Sequence, residues 1–151
     1  MSTVTHHQLT LPSGEQLCRI SIDAGRPGPS VVVTANTHGD ETTGIGVVHN
    51  LVLCLPDLML RGSVHLYPTL NPGGLAAGTR TLPADGRDLN RRFPGKPRGA
   101  ASDRHAHCIW KAVMAHQPAA LLDLHTDTAG AIPYAIVDRV LGRVRGRGLF
   151  G

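Results

Sequence analysis

The sequence predicts an α/β domain built on a largely parallel, mixed sheet flanked by helices. Three observations carry this. Residues 30–36 (SVVVTAN) form a β-branched run without alternation, the pattern of a strand buried on both faces. Residues 119–124 (AALLDL) form a second such run. Between them the chain reads helix, strand, long connection, helix, the order that parallel strands with helical crossovers require.

Each element has its own signal. Residues 7–11 and 16–22 alternate apolar and polar around Pro12, Ser13 and Gly14, which predicts a β-hairpin. Residues 25–29 are a Gly/Pro break, and the 30–36 strand follows. A helix is expected from about Thr42, with Ile45, Val48, Val52 and Leu55 along one face and Pro56 closing it. Residues 62–70 are the next strand, with Pro68 near its end. Residues 71–99 form a long connection rich in Gly, Pro and Arg, and a connection of that length in a small domain is usually functional or mobile. Ser102 is expected to cap a helix with Asp103 in its first turn, burying Ala106, Ile109, Trp110 and Val113, and Pro118 ends it. The 119–124 run is then a buried strand, and 134–137 is expected to be a further one.

Composition narrows the function. A length of 151 residues allows one domain with a real core, and 41% apolar residues without a low-complexity tract exclude wholesale disorder. The longest apolar stretch, 46–55, is interrupted by His49 and Asn50 and falls short of the roughly 20 residues a membrane span needs. The first seven residues carry neither the basic flank nor the apolar run of a signal peptide. Cys18, Cys54 and Cys108 are far apart and odd in number, which argues against disulfides and fits a reducing compartment. Together these predict a soluble, cytoplasmic protein without a membrane partner. The charge of +4 and the arginines between 139 and 147 raise nucleic-acid binding, but 3% aromatic residues leave too few rings for a stacking platform, so no nucleic-acid partner is expected.

Two polar clusters follow directly after apolar strands, where open α/β sheets place their ligands. One is His38-Gly39-Asp40-Glu41; the other is Asp123-Leu124-His125-Thr126. If both strands run parallel, His38, Glu41 and His125 converge, and two imidazoles with one carboxylate are a catalytic zinc set. Asp123 or Asp40 is then the candidate to orient a ligating ring. Read alone, the His-x-x-Glu spacing fits a satisfied structural histidine as well, and the remaining histidines are expected to be solvated or structural. Between the clusters stand Asn71-Pro-Gly-Gly74, Arg80 and Asp88-Leu-Asn90-Arg91-Arg-Phe-Pro-Gly95. A guanidinium fork suits a carboxylate, and Arg80 near a metal would stabilise charge on a carbonyl oxygen, although a solvated basic loop has the same composition.

These motifs, in this order, resemble the succinylglutamate desuccinylase/aspartoacylase family of zinc carboxypeptidase-like hydrolases. The resemblance covers about residues 30–127. It implies a zinc carboxypeptidase-like fold, one Zn2+ per chain on His38, Glu41 and His125, substrate-carboxylate binding by Asn90 and Arg91, and carbonyl polarisation by Arg80. It also implies the reaction, hydrolysis of a small-molecule N-acyl amino acid by a deacylase (amidohydrolase). The neighbouring readings are a catalytically silent zinc-binding remnant of the fold and a metallocarboxypeptidase acting on peptides.

One part is missing. The family uses a downstream glutamate as general base, and here no glutamate follows Glu41; Glu15 lies in the hairpin, and only Asp127 and Asp138 are acidic after His125. Loss of a positioned base costs typically about 10²–10⁴-fold, so the expectation is a retained metal site with weak turnover. The family is also longer, so the fold is expected to be incomplete at the C-terminus, with 1–138 as the catalytic portion and 139–151 as a disordered Arg/Gly-rich tail.

Overall fold

The structure, a computed structural model, describes residues 1–126 and 134–136. The expected hairpin forms with longer arms than the alternation marks. Strand β1 (Thr3–Thr10) pairs antiparallel with β2 (Gln16–Asp23), from Thr3 opposite Asp23 to Thr10 opposite Gln16. Strands β3 (Ser30–Ala35), β4 (Ser63–Tyr67) and β5 (Ala120–Leu124) run parallel, with β3 between the other two. β2 joins β4 antiparallel, giving one mixed sheet in the order β1-β2-β4-β3-β5.

Helices cover both faces. Helix α1 (Thr43–Leu58) crosses from β3 to β4 and buries Val48 with Ile20, Ile22, Val33, Ala35 and Leu66. On the opposite face Leu17, Val32, Tyr67, Leu70 and Leu89 pack with Ala106, Ile109 and Val113, contributed by α3 (Ala101–Met114). Val32 faces one layer and Val33 the other, which is why the β3 run shows no alternation. No helix among the described residues is long and apolar enough to cross a membrane.

The long connection is built from short capped pieces. Helix α2 (Pro72–Ala77) has proline at its start and Asn71 as its cap, whose side chain accepts from the Gly74 amide at 2.9 Å; Gly78 at φ 63° ends it. A 3₁₀ turn follows at Leu89–Arg91, capped by Asp88. Asp85 accepts the Ser102 amide at 2.8 Å and Asp103 accepts that of Ala100 at 3.1 Å, so two carboxylates hold free amides at the start of α3.

Four expectations are corrected. Pro56 does not close α1: it sits in the last turn, where its missing N–H costs one bond, and the helix runs on to Leu58. Ser102 does not cap α3, which begins one residue earlier behind Ala100. β5 is not buried on both faces; it is the sheet's edge among the described residues, with Leu122 47% exposed. The strand expected over 134–137 is not found, since 134–136 lie outside any strand with Tyr134 and Ile136 exposed and no described strand beside them. Residue 137 and the 139–151 tail lie outside the described residues, as do Asp127 and Asp138.

Candidate metal centre

The parallel register of β3 and β5, with Ala35 beside Leu124, brings the two strand ends to one side of the sheet. Beyond β3 the chain must turn sharply to enter α1. Asn36 makes the turn at φ 54°, a left-handed conformation that asparagine tolerates better than most residues. Its amide nitrogen donates to the carbonyls of His38 (2.9 Å), Gly39 (3.1 Å) and Glu41 (2.9 Å), and its oxygen accepts from Thr69 Oγ1 (2.6 Å). Gly39 lies against the backbone of Gly74, where a Cβ would fall 2.0 Å from the Gly74 carbonyl carbon. The two glycine-containing motifs therefore pack backbone to backbone, which fixes the His38 loop against α2.

Glu41 is the hub of the centre. Its Oε1 faces His38 Nδ1 at 2.7 Å and its Oε2 faces His125 Nδ1 at 2.9 Å. Oε2 also accepts the Thr126 amide at 3.0 Å, and Oε1 accepts from Arg80 Nη1 at 3.1 Å. One donor atom from each of His38, Glu41 and His125 lies within 4.8 Å of the others, and among the described residues no other group of three His, Cys, Asp or Glu converges so closely. The outward nitrogens are also held. His38 Nε2 faces Asp88 Oδ1 at 3.1 Å and His125 Nε2 faces Asp123 Oδ2 at 2.7 Å, so each ring turns Nδ1 inward under the grip of a carboxylate. Thr34 and Thr37 hydroxyls donate to the other Asp123 oxygen at 2.8 and 3.4 Å.

This donor set fits a divalent ion. Two nitrogens and a carboxylate are ligands of a catalytic zinc, and three carboxylates against the Arg80 guanidinium leave two negative charges when both rings are neutral. The titration of the groups reflects the same field. Hydrogen bonding to Asp123, reinforced by Glu41 and outweighing burial, pushes His125 up to about 9. Burial alone would raise the Glu41 carboxyl, but the Thr126 amide and both imidazoles hold it below the usual carboxylate range.

The remaining site residues fall at graded distances. Arg80, half exposed, bridges Glu41 and Asp88, its Nη2 lying 3.7 Å from Asp88 Oδ2. Asn90 adjoins through its amide, which donates to Asp88 Oδ1 at 2.9 Å, while its own Oδ1 is buried without a hydrogen-bond partner among the described residues. Arg91 is exposed on the same turn and pairs with no acidic side chain among the described residues. Asp40 is exposed and orients neither imidazole; that role falls to Asp123, as one alternative had it, and to Asp88, which sequence reasoning missed. The available signal for Asp88 was its place two residues before Asn90, where an aspartate capping a short turn keeps a lone pair for another partner. Asn36 and Thr69 were missed as well, and Thr126, named in its cluster, was given no role. Glu15 stays in the hairpin, accepting from Ser13 at 2.7 Å.

Comparison with known proteins agrees with this geometry. Residues 27–143 match the family model "Succinylglutamate desuccinylase/Aspartoacylase catalytic domain". The chain is 36% identical over 110 residues to an N-alpha-acetyl-L-2,4-diaminobutyric acid deacetylase of Halomonas elongata, a match covering 72% of this chain and 32% of that protein. An aspartoacylase family protein from Mesorhizobium loti superposes with a TM-score of 0.71 at 33% identity, covering 82% of this chain and 40% of that one. A metallo-carboxypeptidase from Burkholderia cenocepacia shares the fold, with a TM-score of 0.68 at 21% identity over 82% of this chain and 37% of its own. The chain thus spans well under half the length of these relatives, and the expected carboxypeptidase-like fold is the observed one.

Proposed function

Because the chain belongs to the succinylglutamate desuccinylase/aspartoacylase family, we propose that His38, Glu41 and His125 hold one zinc ion and that the site hydrolyses the amide bond of a small N-acyl amino acid. The observation that carries this reading is the convergence of those three side chains at adjacent strand ends, with Asp88 and Asp123 behind the two rings. A zinc ion bound there would polarise a carbonyl and acidify water. The chain's own residues do the rest. Arg80, anchored between Glu41 and Asp88, presents its half-exposed guanidinium beside the metal ligands, where it would meet charge developing on a carbonyl oxygen. Asn90 and Arg91, adjoining Asp88 on a short capped turn, would take the substrate carboxylate through their side-chain N–H groups.

No glutamate follows Glu41 in these 151 residues, and we assign this polypeptide metal binding with slow turnover. Its three free cysteines fit a cytoplasmic setting. The test is metal analysis of the purified polypeptide together with assays on N-acetyl- and N-succinyl-amino acids. One zinc per chain is expected, lost in His125→Ala, with deacylation far slower than the family's full-length enzymes. A wild-type chain that binds no zinc overturns the metal assignment, and fast deacylation overturns the second part. Metal without any turnover would identify a silent zinc binder.

A further inference from the structure

The loop carrying two of the three metal donors is organised by a side chain that never touches the ion's place. Between the end of β3 and the start of α1, the one backbone bond joining the two ligand residues is the Glu41 amide to the His38 carbonyl, at 3.1 Å. Their side chains also meet, His38 Nδ1 facing Glu41 Oε1 at 2.7 Å, but the other hydrogen bonds to their backbone carbonyls come from Asn36. One carboxamide, wholly buried, gathers the carbonyls of residues 38, 39 and 41 at 2.9–3.1 Å. Its two N–H bonds serve three acceptors, so one is shared, and no proton of the amide nitrogen is left over. The amide cannot rotate to an alternative, because its oxygen is held by the Thr69 hydroxyl at 2.6 Å, and that hydroxyl also accepts the Asn71 amide at 3.2 Å. Thr69 and Asn71 belong to the segment that follows β4, so the orientation of Asn36 is set from a neighbouring strand end.

We infer that Asn36, locked by Thr69, is a positioning residue that sets the His38–Glu41 separation before a metal arrives. The inference rests on the reading of His38, Glu41 and His125 as metal ligands. Physically it is preorganisation: a loop whose carbonyls are already gathered does not lose freedom when two of its side chains coordinate an ion. A buried asparagine that only satisfied loop carbonyls would affect stability alone. A positioning residue changes how tightly and in what geometry the metal is held.

The test uses Asn36→Asp, which keeps size and tolerance of the left-handed backbone but turns the donor into an oxygen facing three carbonyls. It is paired with Thr69→Val, which leaves the Asn36 oxygen unpaired, and Thr69→Ser, which restores the hydroxyl. Co2+ titration is followed by calorimetry and by the visible d–d spectrum, and exchange of the Glu41 amide is followed by NMR in the metal-free protein. Expected are Co2+ affinities weaker by about 10- to 100-fold in Asn36→Asp and reduced in the same direction in Thr69→Val, with altered spectra. Faster Glu41 amide exchange in both and recovery of wild-type behaviour in Thr69→Ser complete the expectation. If Asn36→Asp does not fold, Thr69→Val decides. Affinity within twofold of wild type, an unchanged spectrum and unchanged exchange in a folded variant overturn the inference while leaving the metal site intact. A wild type that binds no Co2+ while the variants still exchange faster overturns the metal reading and keeps the clamp; no binding and no change in exchange overturns both.

Discussion

At the scale of single residues, the two carboxylates behind the imidazoles carry different loads. Asp123 holds His125 at 2.7 Å and is itself held by Thr34, so it serves one ring from the body of the sheet. Asp88 serves three partners: His38 Nε2, the Asn90 amide and Arg80. Replacing Asp123 by Asn keeps the shape and removes the charge, so on the proposed metal reading zinc affinity should fall about 10- to 100-fold, as is common for partners behind metal ligands, with little effect on KM for any residual hydrolysis. Asp88→Asn should lower zinc affinity and raise KM together, because it also loosens the turn that carries Asn90. Competition titration with a zinc chelator, and KM measured at saturating zinc, separate the two; equal KM effects would mean that Asp88 does not position the turn proposed to take the substrate carboxylate. The convergence of His38, Glu41 and His125 was legible because each follows an apolar strand in a recognisable motif. Asp88 and Asn36 were not, since an aspartate 50 positions from its histidine and an asparagine at a strand end show no periodic or spacing signal until the register of β3, β4 and β5 is known.

At the scale of elements, what periodicity could report was sound and what neighbours decide was not. The hairpin, β3, α1 and α3 are local patterns and formed as expected apart from their ends, whereas the run of β5 reads the same for a central and an edge strand. Glycines show the same division. Gly39 and Gly46 look alike in sequence, but the first is pressed on the Gly74 backbone and the second, inside α1, has nothing within 4 Å of its missing Cβ. Gly39→Ala must push backbone against backbone and should destabilise the protein by about 1–3 kcal/mol, the usual range for overpacking, and weaken metal binding with it. Gly46→Ala adds a methyl to open space on an exposed helix and should stabilise by about 0.5–1 kcal/mol through helix propensity. Urea unfolding of both variants checks the pair; a Gly39→Ala protein as stable as wild type would show that the HGDE loop and α2 are not locked together.

At the scale of the whole molecule, the histidines where α3 and its C-terminal end meet the sheet should govern part of the response to acid. His116, just past α3, stacks on His65 of β4 with ring centroids 3.6 Å apart. Its Nε2 receives Arg19 Nη1 of β2 at 3.3 Å and the buried Tyr67 hydroxyl of β4 lies at 3.1 Å. A guanidinium can only donate, so this nitrogen must be unprotonated; protonation would set donor against donor and place a cation on a stack beside Arg19. Burial, then the charges of His65, Arg19 and His7, depress His116 to about 4. Burial chiefly lowers His65 as well, with Arg19 and His7 adding to it against Asp23, and Ser21 and Ser63 hydroxyls flank its ring at 2.8 and 3.2 Å. Buried His105, lowered by burial, must keep its Nε2 proton to donate to the Leu70 carbonyl at 2.9 Å. All three shifts have one sign. For His116 the unfolded chain, near 6.5, binds more protons than the folded one between that pH and about 4, so this contribution is fully present above about 6.5 and is lost as pH falls through the window, and His65 and His105 act in the same direction. His116 is partly exposed, and solvent screening reduces its share to roughly 1 kcal/mol. The metal-free protein is the right sample, because a bound ion would add its own pH dependence. Urea midpoints between pH 7 and 4.5 should fall steadily in wild type, and His116→Gln, which keeps an acceptor for Arg19 but cannot take up the proton, should flatten that fall. An unchanged slope in His116→Gln would mean that protonation of His116 does not drive the loss of stability, and that acid acts on this fold through its other titratable groups.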